Sequence, residues 1–248
     1  MKLLALDTSG DLCSVALFID GVIEQRREPA PRRHGELLLP MMESLLESTG
    51  IALSALDAIA FGRGPGSFTG VRIAVAVAQG AAFGAGCPTV PVSTLAAMAL
   101  GEYRRTGRRR ILAALDARMG ELYWGAFEVA EDASVVAGGA EQVVLPGCVP
   151  VPAGAGWCGV GSGWGVYRAV LEQRIGTGLM AVAADGVCEA EDIARIAAVE
   201  VRAGRVVAAE LARPVYLRDR VTATLGQAPP GAGLPPVPGV HPVADPGV

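Results

Sequence analysis

The chain has 248 residues, 51% of them hydrophobic and 19% charged, which suffices for one large or two small domains with sizeable cores and excludes a disordered or fibrous protein. Its net charge of −4 supplies no global basic field, so any grip on nucleic acid is local or borrowed from a partner. Five cysteines without C-x-x-C spacing and only two histidines, His34 and His241, allow neither a zinc motif nor a disulfide framework, and reduced, mostly buried thiols are expected.

The N-terminus runs straight into Lys2-Leu3-Leu4-Ala5-Leu6-Asp7 with no secretory signal pattern, so a cytoplasmic location is expected. Leu3–Asp7, Cys13–Ile19 and Val22–Glu28 read as three strands, the last two joined by the hairpin turn Asp20-Gly21. A helix follows from about Gly35 to Thr49, with Leu37, Leu38, Met41, Met42, Leu45 and Leu46 on its apolar side and Gly50 as its C-cap. The buried strand Ala58–Phe61 leads through Gly62-Arg63-Gly64-Pro65-Gly66-Ser67-Phe68-Thr69-Gly70 into a helix from about Val71 to Phe83. The stretch 71–87 comes nearest to a membrane span, but Gln79 and its glycines make it a poor one, and no membrane is expected. A strand near Thr89–Val92 and a helix capped by Ser93 complete a first unit, residues 1–102.

Arg104, Arg105, Arg108, Arg109 and Arg110 then surround Thr106-Gly107, a polar break that reads as a solvated boundary, with nucleic-acid phosphates as the alternative use of the charge. Beyond it the chain repeats itself: Leu112-Ala113-Ala114-Leu115-Asp116 echoes Leu3–Asp7 109 residues later, each Asp leading through a glycine into another apolar strand. Strands over 122–129 and 157–160, helices over 165–172 and 191–203 and a closing segment Val215–Leu217 fill a second unit, residues 103–220. Residues 221–248 hold seven of the 17 prolines and one charged side chain, Asp245, and read as a disordered tail.

The turn after Asp7 resembles the first phosphate loop of the actin, sugar kinase and Hsp70 superfamily. With the β-β-β-α-β-α order and the repeat, this resemblance implies an α/β protein with a duplicated actin-like ATPase fold (ASKHA) in two lobes. Asp7, Thr8 and Ser9, with Gly66, Ser67 and Thr69 from the second glycine-rich turn, are the candidate phosphate-loop residues: glycines free the backbone, and a helix start offers N–H groups to an anion. The second turn is not a P-loop, since G-K-[ST] is missing. His34, beside a helix start, reads as exposed rather than catalytic, and Cys158 as a buried thiol.

Five ordered motifs carry a closer resemblance: A-L-D-T-S at 5–9, H-G-E-L-L-L-P at 34–40, G-P-G-S-F-T-G-V-R at 64–72, D-A-R-M-G-E-L-Y-W at 116–124 and P-V-Y-L-R at 214–218. Together they resemble the TsaB (YeaZ) family, bacterial subunits of the machinery that makes tRNA threonylcarbamoyladenosine, over residues 1 to about 220. The resemblance implies a non-catalytic subunit without catalytic or metal residues. It would pair with the catalytic paralogue TsaD, be joined by the ATPase TsaE and meet tRNA through the complex. No cofactor is required, and room is left for weak nucleotide binding. An active small-molecule kinase of the same superfamily is the competing reading: Asp116 is available, but Ala117-Arg118-Met119 replaces the small residues expected to approach phosphate. Proteolysis is disfavoured, because no zinc motif exists and a nucleophile would have only His34 as its base.

The helix after Thr69 is apolar on nearly every side, and the preceding helix carries an equally broad apolar stripe, so one face of each needs an external cover. The resemblance implies that these two helices pair with their counterparts on TsaD. Leu38, Met41, Met42, Leu45, Arg72, Val75, Ala78 and Gln79 are the expected contacts, and an isolated chain would have the same helices to offer a second copy.

Overall fold

Alternation along the first strand sets the layers. In β1 (Lys2–Asp7), Leu3 and Ala5 point into one core while Leu4 and Leu6 point into another, because successive strand side chains face opposite ways. β2 (Leu12–Ile19) pairs antiparallel with β1, and β3 (Val22–Pro29) with β2, through a turn in which Asp20 (φ 48°) and Gly21 (φ 100°) take the left-handed region that a tight hairpin needs. β4 (Ala58–Gly62) lies parallel to β1, and β5 (Thr89–Val92) parallel to β4, giving the sheet order β3-β2-β1-β4-β5. The crossovers are α1 (His34–Thr49), ended by left-handed Gly50, and α2 (Phe68–Ala85), begun by Ser67, whose Oγ accepts the Gly70 N–H.

The chain is described here by a computed structural model over residues 1–132 and 134–218, in which residues 1–217 form one body; the expected disordered tail lies outside the described residues. Its second sheet repeats the first strand for strand. β6 (Arg110–Arg118), β7 (Glu121–Val129) and β8 (Val135–Ala137) run antiparallel to one another, while β10 (Trp157–Val160) and β11 (Leu179–Ala183) lie parallel to β6, in the order β11-β10-β6-β7-β8. β9 (Gln142–Val144) is an addition on β7. The duplication heard in the sequence is therefore a duplication of topology. The strand Leu179–Ala183 and the short β8 and β9 are not anticipated by the sequence reading.

The halves exchange a helix. α3 (Thr94–Thr106) follows β5 yet packs on β6 and β7, whereas α6 (Ala190–Arg202) follows β11 yet packs on β1, β2, β4 and β5. The boundary expected at 102/103 falls inside α3. Between the sheets, Leu3, Ala5, Ala60, Met98, Ile111, Ala113, Ile193 and Ala197 share the central core, the alanines allowing both helices to sit close to the strands. Outside the first sheet, α1 and α2 cover Leu4, Leu6, Leu17, Ile59 and Phe61; each such side chain contributes roughly 1.5–3 kcal/mol on burial. Outside the second, α4 (Ser162–Val166) and α5 (Arg168–Ile175) cover Leu112, Trp124 and Trp157, with Trp164 and Trp124 in tilted contact at 6.0 Å.

Candidate functional site: the strand-end loops and the outer helices

The six candidate phosphate-loop residues meet, but largely on one another. Thr8 Oγ1 donates to the Gly70 carbonyl (2.7 Å) and the Ser67 N–H donates to the Ser9 carbonyl (2.7 Å), so the turn after β1 is bonded to the turn before α2. Thr8 and Ser9 are buried; Ser67 and Thr69 stay exposed at the helix start. The glycines permit this approach by lacking a side chain. A Cβ at Gly66 would lie 2.5 Å from the Ser9 carbonyl oxygen and one at Gly70 only 1.9 Å from that of Thr8, while the left-handed backbone belongs to Gly64 (φ 97°).

Asp7 closes the floor of this turn. Its Oδ2 accepts from the Ser9 N–H (3.2 Å) and the Ser9 hydroxyl (3.0 Å), whereas Oδ1 has no hydrogen-bond partner among the described residues and faces Gly62, where a Cβ would sit 2.1 Å away. Burial raises its pKa to about 7 against the pull of the Ser9 contacts, and burial with the Asp7 charge raises that of the neighbouring Cys188 thiol. A carboxyl so sealed suits a core better than it suits holding a phosphate-bound cation.

At the matching place in the second half, Asp116 accepts from the Arg118 N–H (2.9 Å), the Arg118 guanidinium (3.0 Å) and the Tyr167 hydroxyl (3.3 Å), while its own N–H donates to Ser162 Oγ (3.1 Å). Arg118 (φ 62°), Met119 (φ 56°) and Gly120 (φ 79°) form the turn that follows. A cleft of about 450 Å³ lies between α3 and α6, where Gln25, Arg27, Glu102, Arg104, Glu189 and Asp192 meet. Its arginines are committed: Arg27 to Glu189 (2.5 Å), Arg104 to Glu191 and to Asp192 (2.7 Å), Arg105 to Glu102. Arg109 and Arg110 likewise pair with Glu131 and Glu128, and Arg108 lies 3.8 Å from Glu102, while the Arg105, Arg109 and Arg110 side chains stay largely exposed. Among the described residues no group of three or more His, Cys, Asp or Glu is placed to hold a metal.

The outer helices correct the expected contact residues. Leu38, Met42 and Leu45 of α1 and Val75 and Ala78 of α2 are buried against the first sheet in this chain's own core. Met41 and Gln79 are half-buried and Arg72 is exposed, so three of the eight expected contacts reach the surface. His34, expected exposed, is instead buried as the first residue of α1, with Nε2 unpartnered among the described residues. Cys158 is buried as expected, its thiol beside Glu102 Oε1 (3.4 Å).

Past its first turn, where Phe68 and Thr69 are exposed, α2 shows to solvent Arg72, Ala76, Gly80, Phe83 and Gly84, with Ile73 and Val77 at the edge, positions that fall on one side at 100° per residue. Phe83 is 79% exposed, and no charged residue occurs from Ile73 to Gly86. α2 has the length and mean apolarity of a membrane-crossing segment, more than its glycines and Gln79 suggest, but its inner arc is committed to the sheet. Beside it, α1 presents Glu36, Leu39, Glu43 and Glu47, an acidic stripe. At the start of α2 the Arg72 guanidinium lies 3.3 Å over the Phe68 ring and 5.2 Å from that of Tyr216, and the Val215 N–H donates to the Arg63 carbonyl (2.8 Å). The motifs at 64–72 and 214–218, far apart in sequence, thus form one structure.

Two sheets of the same strand order, each entered through an aspartate-bearing hairpin and joined by exchanged helices, define a duplicated actin-like α/β protein. Residues 23–147 match the family model described as TsaD: tRNA N6-adenosine threonylcarbamoyltransferase. The chain is 42% identical to the tRNA threonylcarbamoyladenosine biosynthesis protein TsaB of Escherichia coli, over 89% of this chain and 96% of that one, and 36% identical to its namesake from Haemophilus influenzae, over 90% and 95%. The solved structure of YeaZ from Pseudomonas aeruginosa superposes with a TM-score of 0.82 at 46% identity, over 87% of this chain and 99% of that one. The chain belongs to the TsaB family.

Proposed function

We propose that this chain is the non-catalytic subunit of a cytoplasmic tRNA threonylcarbamoyltransferase, docking on TsaD through the outward faces of α1 and α2. The product is threonylcarbamoylation at N6 of adenosine 37 in tRNAs reading codons that begin with A. In this reading TsaD supplies the chemistry, TsaE joins the pair, tRNA is met through the complex, and no cofactor of this chain takes part.

One observation carries the proposal: beyond Arg72 the outward arc of α2 carries no charge and exposes Ala76, Gly80 and Gly84 around the Phe83 ring, small residues that admit a second helix at close range. The acidic stripe of α1 asks for basic residues opposite it. The inward-turned first loop fits a subunit that performs no phosphoryl transfer, and the names of the relatives supply the pathway. Ala76→Glu and Gly80→Glu place a carboxylate on the exposed arc, where a Cβ at residue 80 meets nothing within 4 Å. Each is expected to keep the wild-type melting temperature, to weaken TsaD binding in calorimetry by about a thousandfold, equivalent to about 4 kcal/mol, and to stop tRNA modification in a reconstituted reaction. Normal TsaD binding by both folded variants refutes the docking face. Substantial ATP turnover by the purified chain alone refutes the non-catalytic role.

A further inference from the structure

Unpaired positive charge is not spread evenly over this molecule. Most of its arginines are tied to carboxylates, yet Arg32, Arg72 and Arg213 are exposed and make neither an ion pair nor a hydrogen bond among the described residues. β3, β1 and β4 run in the same direction, so Pro29, Asp7 and Gly62 end on one rim of the first sheet. All three arginines belong to that rim. Arg32 sits between the end of β3 and the start of α1, Arg72 lies in the opening turns of α2 after β4, and Arg213 precedes Val215, whose N–H is bonded to the Arg63 carbonyl just beyond β4. A fourth such arginine, Arg202, closes α6, whose first residue is bonded to Ser14 near the rim, so Arg202 is at the far end of that helix. Two other arginines of the rim, Arg33 and Arg63, are engaged by Glu36 and Glu141 (3.5 Å each).

The same rim carries aromatic surface. Phe68 and Tyr216 are 51% and 47% exposed with their rings 5.9 Å apart, and the Arg72 guanidinium lies 3.3 Å over the Phe68 ring. A guanidinium held on a ring is a flat cationic surface, and here its N–H groups are uncommitted. An acidic peptide would satisfy only the charge, and a nucleic-acid duplex keeps its bases stacked inside. A single strand alternates phosphates with bases that are free to stack, and it uses both the guanidinium groups and the rings.

We propose that this rim binds single-stranded RNA, with Phe68, Arg72 and Tyr216 as a base-stacking platform and Arg32 and Arg213 on flanking phosphates. The choice of RNA rests on the proposed role in tRNA modification; the free charges and the exposed rings do not. The arc proposed for TsaD starts one turn beyond Arg72, so the rim borders that interface and this chain itself holds part of the RNA.

The test uses the purified full-length chain and fluorescence anisotropy of a labelled oligoadenylate of about ten nucleotides, a length within the span of one such platform. Wild type is expected to bind with a dissociation constant below about 0.1 mM at low salt. Phe68→Leu removes a ring and keeps the charge, and is expected to weaken binding roughly five- to a hundredfold with an unchanged salt dependence. The double variant Arg32→Gln, Arg213→Gln keeps the rings and is expected to weaken binding while lowering the slope of log affinity against log salt by about 1.4, or about 0.7 for each single-strand phosphate. Absence of wild-type binding, wild-type affinity in either variant, or an equal affinity for an RNA duplex overturns the proposal. Displacement by ATP as effective as displacement by unlabelled oligoadenylate also overturns it and makes a free nucleotide the occupant. Wild-type RNA affinity in Phe68→Leu together with weakened TsaD binding in calorimetry overturns it in favour of a protein contact. Expected RNA binding by a chain that fails to bind TsaD upholds the rim and refutes the TsaD docking alone.

Discussion

Asp7→Asn separates a sealed core carboxyl from a working phosphate-loop aspartate. The native carboxyl has its pKa raised by burial from 3.8 to about 7, so between those values the folded chain binds a proton that the unfolded chain has released. Wild-type stability is therefore complete at the acid end of this window, falls as pH rises through it and levels off above about 7. The full difference corresponds to roughly 4 kcal/mol, of which about 3 kcal/mol lies above pH 5. Asparagine keeps the shape and the bond from the Ser9 N–H but cannot titrate; its amide, placed where Oδ1 finds no partner, costs about 1–3 kcal/mol at every pH. The offset cancels when the two proteins are compared at each end of the range. Melting temperatures from about pH 5 to about pH 8.5 are expected to decline less for the variant, with the gap changing by roughly 6–12 °C for a body of this size. Parallel curves would show that Asp7 is ionised and solvated in the folded chain, and the description of the first loop as closed would be wrong.

Three further substitutions test neighbouring parts of the argument. Gly70→Ala drives a Cβ to 1.9 Å from the Thr8 carbonyl and is expected to lower the melting temperature sharply, whereas Gly80→Ala, in open space on the same helix, should leave it unchanged or slightly raised; equal effects refute the steric account. Val75→Glu, aimed at the inner arc of α2, is expected to unfold the chain in circular dichroism, and a folded Val75→Glu would put the sheet-facing side of the helix elsewhere. Arg104→Ala strips the buried Asp192 of its 2.7 Å partner and loosens α3 from α6, an expected loss of about 2–3 kcal/mol in urea unfolding near neutral pH; a change within about 0.5 kcal/mol would show that this seam is solvated.

The parts of the fold legible in the sequence were those written in short-range chemistry. Asp20-Gly21, Gly50 and Ser93 mark a hairpin, a C-cap and an N-cap because each residue's own backbone or side chain performs the function, while for α2 the sequence offers Ser67 or Thr69 and the structure uses Ser67. The Asp7 and Asp116 echo is legible for a similar reason: Asp7 ends β1 and Asp116 lies two residues before the end of β6, each in the first strand of a hairpin. β11 was missed because Leu179–Ala183 is a brief apolar run with no turn signature before it, and it becomes a strand only by lying parallel to β10. The exchange of α3 and α6 leaves no local trace at all. The same limit governs the interface. Composition correctly shows that α2 has more apolar surface than one side can bury, yet Val75 and Ala76 are equally apolar, and which of them faces the sheet depends on long-range packing. The glycines of the 62–70 turn give a parallel case: their number announces a special backbone, but only Gly64 uses its φ, while Gly66 and Gly70 answer to atoms of residues 8 and 9.

The two halves differ in a way that bears on docking. Between β3 and β4 the first half carries the 16-residue helix α1, and between β4 and β5 the 18-residue α2, side by side on the outer face of its sheet. At the corresponding places the second half has a single turn of 3-10 helix at Pro146–Cys148 and the short α4 and α5, whose Trp164 and Leu171 are folded inward with Trp124 and Trp157. The large aromatic side chains there satisfy the outer core of the second sheet from within. On the first sheet the inner arcs of α1 and α2 do the same, and α2 still has a full apolar arc left over. A duplicated fold with long helices on the outer face of one sheet only, one of them without charge on its outward arc beyond Arg72, has one side suited to the proposed partner, which is why the predicted loss of binding is confined to the residues of that arc.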